Sequence, residues 1–132
     1  MNRGLLDTSV LIAQDDETSL HRALPEDSAI SVATLAELHF GVLLAKNDEQ
    51  RQIRLRRLGV IEATFQPIPI NAEVARAFAT VAHAVKAAGR QPRARVMDLW
   101  IAATALAHGL PIYTRNGGDL QGLEHLIEIH SL

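Results

Sequence analysis

Hydrophobic positions recur along the chain in two rhythms: short unbroken apolar runs, and longer stretches in which they return every three or four residues. The runs have the length of buried strands, and the spaced stretches are the apolar seams of helices. The first run, in "GLLD", ends on a polar turn, which predicts a buried strand at about 3–6 and a short helix from Ser9. "AISVAT", from Ala29, reads as a second short strand. In "LAELHFGVLLAK", Leu35, Leu38, Val42 and Ala45 keep helical spacing, and "EQRQIRLRRLGVI" predicts a basic amphipathic helix. Pro67 and Pro69 bracket an extended piece. Val74, Phe78, Val81 and Val85 then form the seam of a long helix, with Asn71 as its N-cap and Gly89 as its stop. "DLWIAATALAHG" is apolar on nearly every face, which predicts a buried helix ended by Gly109. "LPIYT" reads as a strand and "IEIHSL" as a candidate last one.

Strands alternating with helices imply an α/β fold of three layers, α/β/α, with a central, mainly parallel sheet. No repeat, low-complexity tract or linker divides the chain, so residues 1–132 are expected to form a single domain. Ligands of such sheets bind beyond the carboxyl ends of the strands. Asp7 closes the first strand, Thr114 to Asp119 follow the "PIY" strand, and Asp98 opens the buried helix, so the pattern sends several acids to one edge.

Composition narrows the chemistry. The chain has no cysteine, which excludes a thiolate nucleophile and a cysteine-based zinc site. The six histidines form no HExxH and no i, i+4 pair, so they read as surface or satisfied core groups. No signal peptide or membrane span is legible, and a cytoplasmic protein is expected. The net charge of −2 does not advertise a phosphate binder. Its distribution is more informative. Arg51, Arg54, Arg56 and Arg57 crowd one helix, and Lys86, Arg90, Arg93 and Arg95 follow one another with no acid between them, while Asp15, Asp16 and Glu17 gather elsewhere.

Each acid at the edge has a bland reading beside a chemical one. Asp7 and Asp98 are good helix caps. "TLAE", Thr34 to Glu37, fits a capping box, unless Ser31 is the cap and Glu37 lies free in the second turn. Asp119 in "NGGDL" suits a turn. Taken together they suggest more, because clustered carboxylates repel one another and a hard cation relieves the repulsion. A set of oxygen ligands without His or Cys suits Mg²⁺ or Mn²⁺.

"LLDTSVLI", "TLAELHFG", "RVMDLWIAATA" and "LPIYTRNGGDL" follow in an order and spacing that resembles the PIN-domain ribonucleases, in particular the VapC-type toxins of toxin–antitoxin pairs. The resemblance covers essentially the whole chain. It implies that Asp7, Glu37, Asp98 and Asp119 are an acidic metal-binding quartet, that Thr8 and Ser9 sit beside the first acid, and that Thr114 and Asn116 support the last one. It further implies Mg²⁺- or Mn²⁺-dependent endonucleolytic cleavage of RNA, a homodimer, and a cognate VapB-type antitoxin. Leu120 departs from the aromatic residue usual after the last acid. Arg90, Arg93 and Arg95, just upstream of Asp98, are candidates to grip the RNA backbone, or else a solvated basic loop. Two rivals remain. In a metal-dependent phosphatase with DxD ending its first strand, the second Asp would stand where this chain has Ser9. A non-catalytic PIN-like RNA-binding module would be expected to have lost an acid, and all four are present.

Overall fold

A computed structural model describes residues 2–13 and 24–132; Asp15, Asp16 and Glu17 lie outside the described residues. Four strands, β1 (Arg3–Leu6), β2 (Asp27–Ala29), β3 (Ile112–Thr114) and β4 (Ile129–Ser131), lie in the order β2-β1-β3-β4, and every pairing is parallel. Leu5 stands opposite Ala29 on one side and Ile112 on the other. All of β3 is buried, as is β1 after Arg3, which is why both read as unbroken apolar runs.

Among the described residues five helices cover the sheet: α1 (Thr8–Ala13), α2 (Val32–Leu43), α3 (Asp48–Thr64), α4 (Ala72–Ala87) and α5 (Val96–His108). Successive strand residues point to opposite faces, so Leu5 and Leu6 enter different cores. Leu5 packs in a layer with Val74, Val81 and Val85 of α4 and Leu99 and Ile101 of α5. Leu6 packs with Val10, Leu38 and Val42 and with Leu58 and Ile61 of α3. The Asn71 side chain accepts from the Val74 N–H at 3.0 Å and starts α4 where the sequence predicts. No described helix is long and apolar enough to cross a membrane.

"AISVAT" is only in part a strand. β2 lies earlier, at Asp27–Ala29, and Ser31 keeps a single parallel bridge to Ile68. The cause is the Ser31 hydroxyl, which accepts from the Ala33 N–H at 3.0 Å and caps α2. Capping draws the β-branched Val32 and Thr34 into a helix despite their strand preference.

β1 and β3 meet closely at Gly4. A Cβ there would overlap the ring of Tyr113, which is itself stacked on His130 at 4.5 Å. Gly4→Ala should lower stability by roughly 1–3 kcal/mol, as overpacking does. The measurement is the denaturant midpoint at unchanged slope; an unmoved midpoint would show that the ring gives way freely.

Candidate functional site

Asp7 is the first residue past β1. Its N–H still donates to the Tyr113 carbonyl at 2.9 Å, while its own carbonyl accepts from the Val10 N–H at 3.0 Å and opens α1. Its backbone is thus shared between sheet and helix, and its side chain is fixed at the strand end. There its Oδ2 accepts from the Thr114 hydroxyl at 2.6 Å and from the Ser9 hydroxyl at 3.1 Å. Each hydroxyl oxygen in turn accepts a backbone N–H, from Asn116 to Thr114 at 3.0 Å and from Arg115 to Ser9 at 3.1 Å. Those bonds occupy the oxygens and leave each proton for the carboxylate.

Glu37 reaches the same edge because Ser31 starts α2 and leaves Glu37 in its second turn. Its Oε1 accepts from the Thr8 hydroxyl at 2.7 Å, and that hydroxyl lies 3.2 Å from the fully buried hydroxyl of Thr34. Burial pushes the Glu37 carboxyl above its ordinary range, the bond from Thr8 pulls it back, and the charge of Asp7 raises it again.

Asp98 lies in the first turn of α5, where Arg95 occupies the N-cap position and no side chain caps the helix, so Asp98 is not a cap. Its carboxyl is pushed up to about 6, first by burial and then by the negative charges of Asp7, Glu37 and Asp119, with Arg95 opposing. Four acids from separate parts of the chain are therefore near enough to act on one another. Asp119 arrives on a 3₁₀ turn, Gly117–Leu120, anchored by the buried Leu120. A Cβ at Gly117 would overlap the Ser131 hydroxyl, which would have to turn away, so this turn lies close against β4.

Two of the three candidate arginines meet the acidic edge or the turn that bears Asp119. An Nη of Arg95 lies 2.5 Å from Asp119 Oδ1 and 4.0 Å from Asp98 Oδ2, inside the acidic edge. Arg90 donates to the Gly118 carbonyl at 2.8 Å and so holds the same turn. Arg93 is exposed. Asn116 supports the site through its backbone, donating to Thr114 and accepting from the Asp119 N–H at 2.9 Å. Thr34 is a residue whose place sequence reasoning missed: the pattern offers it only as a cap in competition with Ser31, and Ser31 performs that task. His39 pairs with Glu62 and His130 with Glu128, in keeping with the plain roles expected of the histidines.

Among the described residues no three carboxylates close into a ready-made cage for one ion. The donor set nevertheless suits a hard cation that keeps most of its waters and takes only one or two carboxylates. The mutual repulsion at Asp98, and the guanidinium lying between Asp98 and Asp119, both mark a place that attracts positive charge.

The sequence profile of the PIN domain matches residues 4–121. The chain belongs to the PIN-domain family. This PIN domain is 40% identical to ribonuclease VapC5 of Mycobacterium tuberculosis over 116 residues, which covers 86% of this chain and 82% of that protein. It is 36% identical over 117 residues to ribonuclease VapC4 of the same organism, covering 88% of each. Among solved structures, that of VapBC-5 from M. tuberculosis, a member of the VapBC family of toxin–antitoxin systems, superposes with a TM-score of 0.86 at 36% identity over the whole of both chains. FitAcB from Neisseria gonorrhoeae superposes with a TM-score of 0.78 at 28% identity over 96% of each.

Two melting experiments in EDTA test the electrostatics of this edge. A carboxyl whose folded pKa lies above its unfolded value favours the fold at low pH, and that contribution is lost as pH rises through the folded pKa. For Asp98 the window runs from 3.8 to about 6. The melting temperature of Asp98→Asn should therefore gain on that of the parent as pH rises through this window, whereas a constant difference would mean that Asp98 feels no such repulsion. Arg95→Gln should act in the opposite sense at pH 7 and lower stability by about 1 kcal/mol or less, since the ion pair it breaks is partly exposed. A higher melting temperature for that variant would contradict the pairing.

Proposed function

We propose that this protein is a VapC-type endoribonuclease, the toxin of a toxin–antitoxin pair, which hydrolyses RNA phosphodiester bonds at a site formed by Asp7, Glu37, Asp98 and Asp119 with Mg²⁺ or Mn²⁺. The observation that carries this reading is the delivery of four carboxylates to one sheet edge, where burial first, and then the charges of the other three, push Asp98 up to about 6. The relatives that bear the name ribonuclease VapC support the activity. Their solved counterparts, named as VapBC and FitAcB complexes, support a VapB-type antitoxin partner. Exposed apolar side chains on and just after α2, among them Phe40, Leu43 and Leu44, suit a protein surface, whether antitoxin or the second copy of a homodimer. A cytoplasmic location follows from this reading if the RNA it cuts is the cell's own.

Asp7, Asp98 and Glu37 would hold the metal, one or two of them directly and the rest through its retained waters, with Asp119 binding a second ion or orienting water. Bound there, a divalent cation supplies an acidified water and stabilises charge at the phosphate. The protein's own residues do the positioning. Ser9 and Thr114 fix one oxygen of Asp7, Thr8 fixes one oxygen of Glu37, and Arg90 holds the turn that bears Asp119. Water attacking phosphorus, with the 3′ oxygen leaving and taking a proton, gives 5′-phosphate and 3′-hydroxyl ends.

Asp7→Asn and Asp98→Asn should each remove RNA cleavage while leaving the fold intact. EDTA should stop the parent, and Mg²⁺ or Mn²⁺ should restore it. Thr114→Val, which strips a hydroxyl from behind Asp7, should cost a smaller factor, roughly 10–100-fold. A gel of RNA cleavage beside a colourimetric phosphatase assay reads all of these. Phosphatase turnover without RNA cleavage, or a fully active Asp7→Asn protein, would sink the reading.

A further inference from the structure

Beside the acidic edge a pocket of about 410 Å³ opens between α1, α2 and α3. Its volume lies within the range of small-molecule sites. Thr8 and Glu37, joined by their hydrogen bond, form one wall, so the pocket is continuous with the edge. The floor is apolar: Leu38 is buried, and Ile12 and Ile53 stand 46% and 49% exposed. The far wall is polar and basic, with Gln50, Arg54 and Arg57.

Two details of this far wall suit a nucleotide. Arg54 spends one Nη on the Gly41 carbonyl at 2.6 Å. That bond anchors a planar fork whose remaining N–H groups match phosphate oxygens. Gln50 uses its side-chain carbonyl to accept the Lys46 N–H at 2.8 Å, which leaves its amide NH₂ as a donor to the acceptor edge of a base. Gly41 is the third feature. It lies inside α2, where glycine is the poorest helix former after proline, and among the described residues a Cβ built on it meets nothing within 4 Å. Among the described residues neither packing nor a positive φ calls for glycine there, and Gly41 is part of the pocket's lining.

We propose that this pocket seats the RNA nucleotide next to the bond that is cut, with its base on Ile12, Leu38 and Ile53 and its phosphate against Arg54, and that it sets which sequence is cleaved. This rests on the ribonuclease reading above. A single-stranded nucleotide fits these features because sequence-specific RNA recognition takes splayed bases whose faces pack on side chains while their edges are read by hydrogen bonds.

Gly41→Leu tests it by filling the pocket from a position with room. The variant should melt at or above the parent and keep the parent's stabilisation by Mn²⁺. Its kcat/KM on RNA should fall at least tenfold, mainly through KM, and sequencing of the new 5′ ends should show a weakened nucleotide preference at the cut. In the cleavage-dead Asp7→Asn background, adding Gly41→Leu should weaken binding of a fluorescent oligoribonucleotide at least tenfold. Arg54→Gln, which fills no space, should weaken binding in the same direction and flatten its salt dependence. It carries the test alone if Gly41→Leu misfolds. Unchanged affinity and an unchanged cut-site distribution would overturn the proposal. So would a Gly41→Leu protein that cleaves RNA like the parent but escapes inhibition by its co-expressed antitoxin, since the pocket would then belong to a protein. A parent that binds the oligoribonucleotide through this pocket without cleaving it would instead overturn the ribonuclease reading.

Discussion

Repulsion among carboxylates at the end of a parallel sheet is the constraint around which this molecule is arranged. Four strands ending in the same direction deliver their following residues to one edge, and two of those segments carry an acid there. α2 and α5 bring one more each. Bringing negative charges together in a half-buried place raises pKa values and weakens the fold. Asp98, faced by the other three, shows this most clearly.

The surroundings reduce the strain without removing it. Hydroxyls from Thr114, Ser9 and Thr8 donate to Asp7 and Glu37, and Arg95 lies against Asp119. These partners hold oxygens at fixed positions, which a site for a hard, water-retaining cation needs more than it needs a closed cage. Together with the PIN-domain match and the named VapC relatives, they support the metal-dependent RNA hydrolysis proposed above.

β1, β3 and the acids that follow them were legible in the sequence because apolar runs end abruptly at Asp7 and Thr114, and α4 because Val74, Val81 and Val85 mark one seam between clear signals at Asn71 and Gly89. The start of α2 was harder to read. Val32 and Thr34 suit a strand or a helix, and the choice falls to a hydroxyl cap at Ser31, which also decides whether Glu37 is free. The contacts of the basic segment from Arg90 to Arg95 are hidden when it is read alone. A run of arginines does not disclose which distant groups it will meet, and Arg90 and Arg95 meet the turn bearing Asp119 more than twenty residues away. Thr34 was equally hidden, since its importance depends on Thr8 arriving from another helix.

The most direct test of the metal site needs no knowledge of the RNA. A ligand that binds only the folded state raises its stability by RT ln(1 + [L]/Kd). Thermal melting of the parent and of Asp98→Asn across a Mn²⁺ titration compares that linkage in the two proteins. If the carboxylates form one metal site, the parent's melting temperature climbs with Mn²⁺ and the variant's climbs far less. Equal shifts in the two proteins would contradict it and leave the acids as separate structural groups.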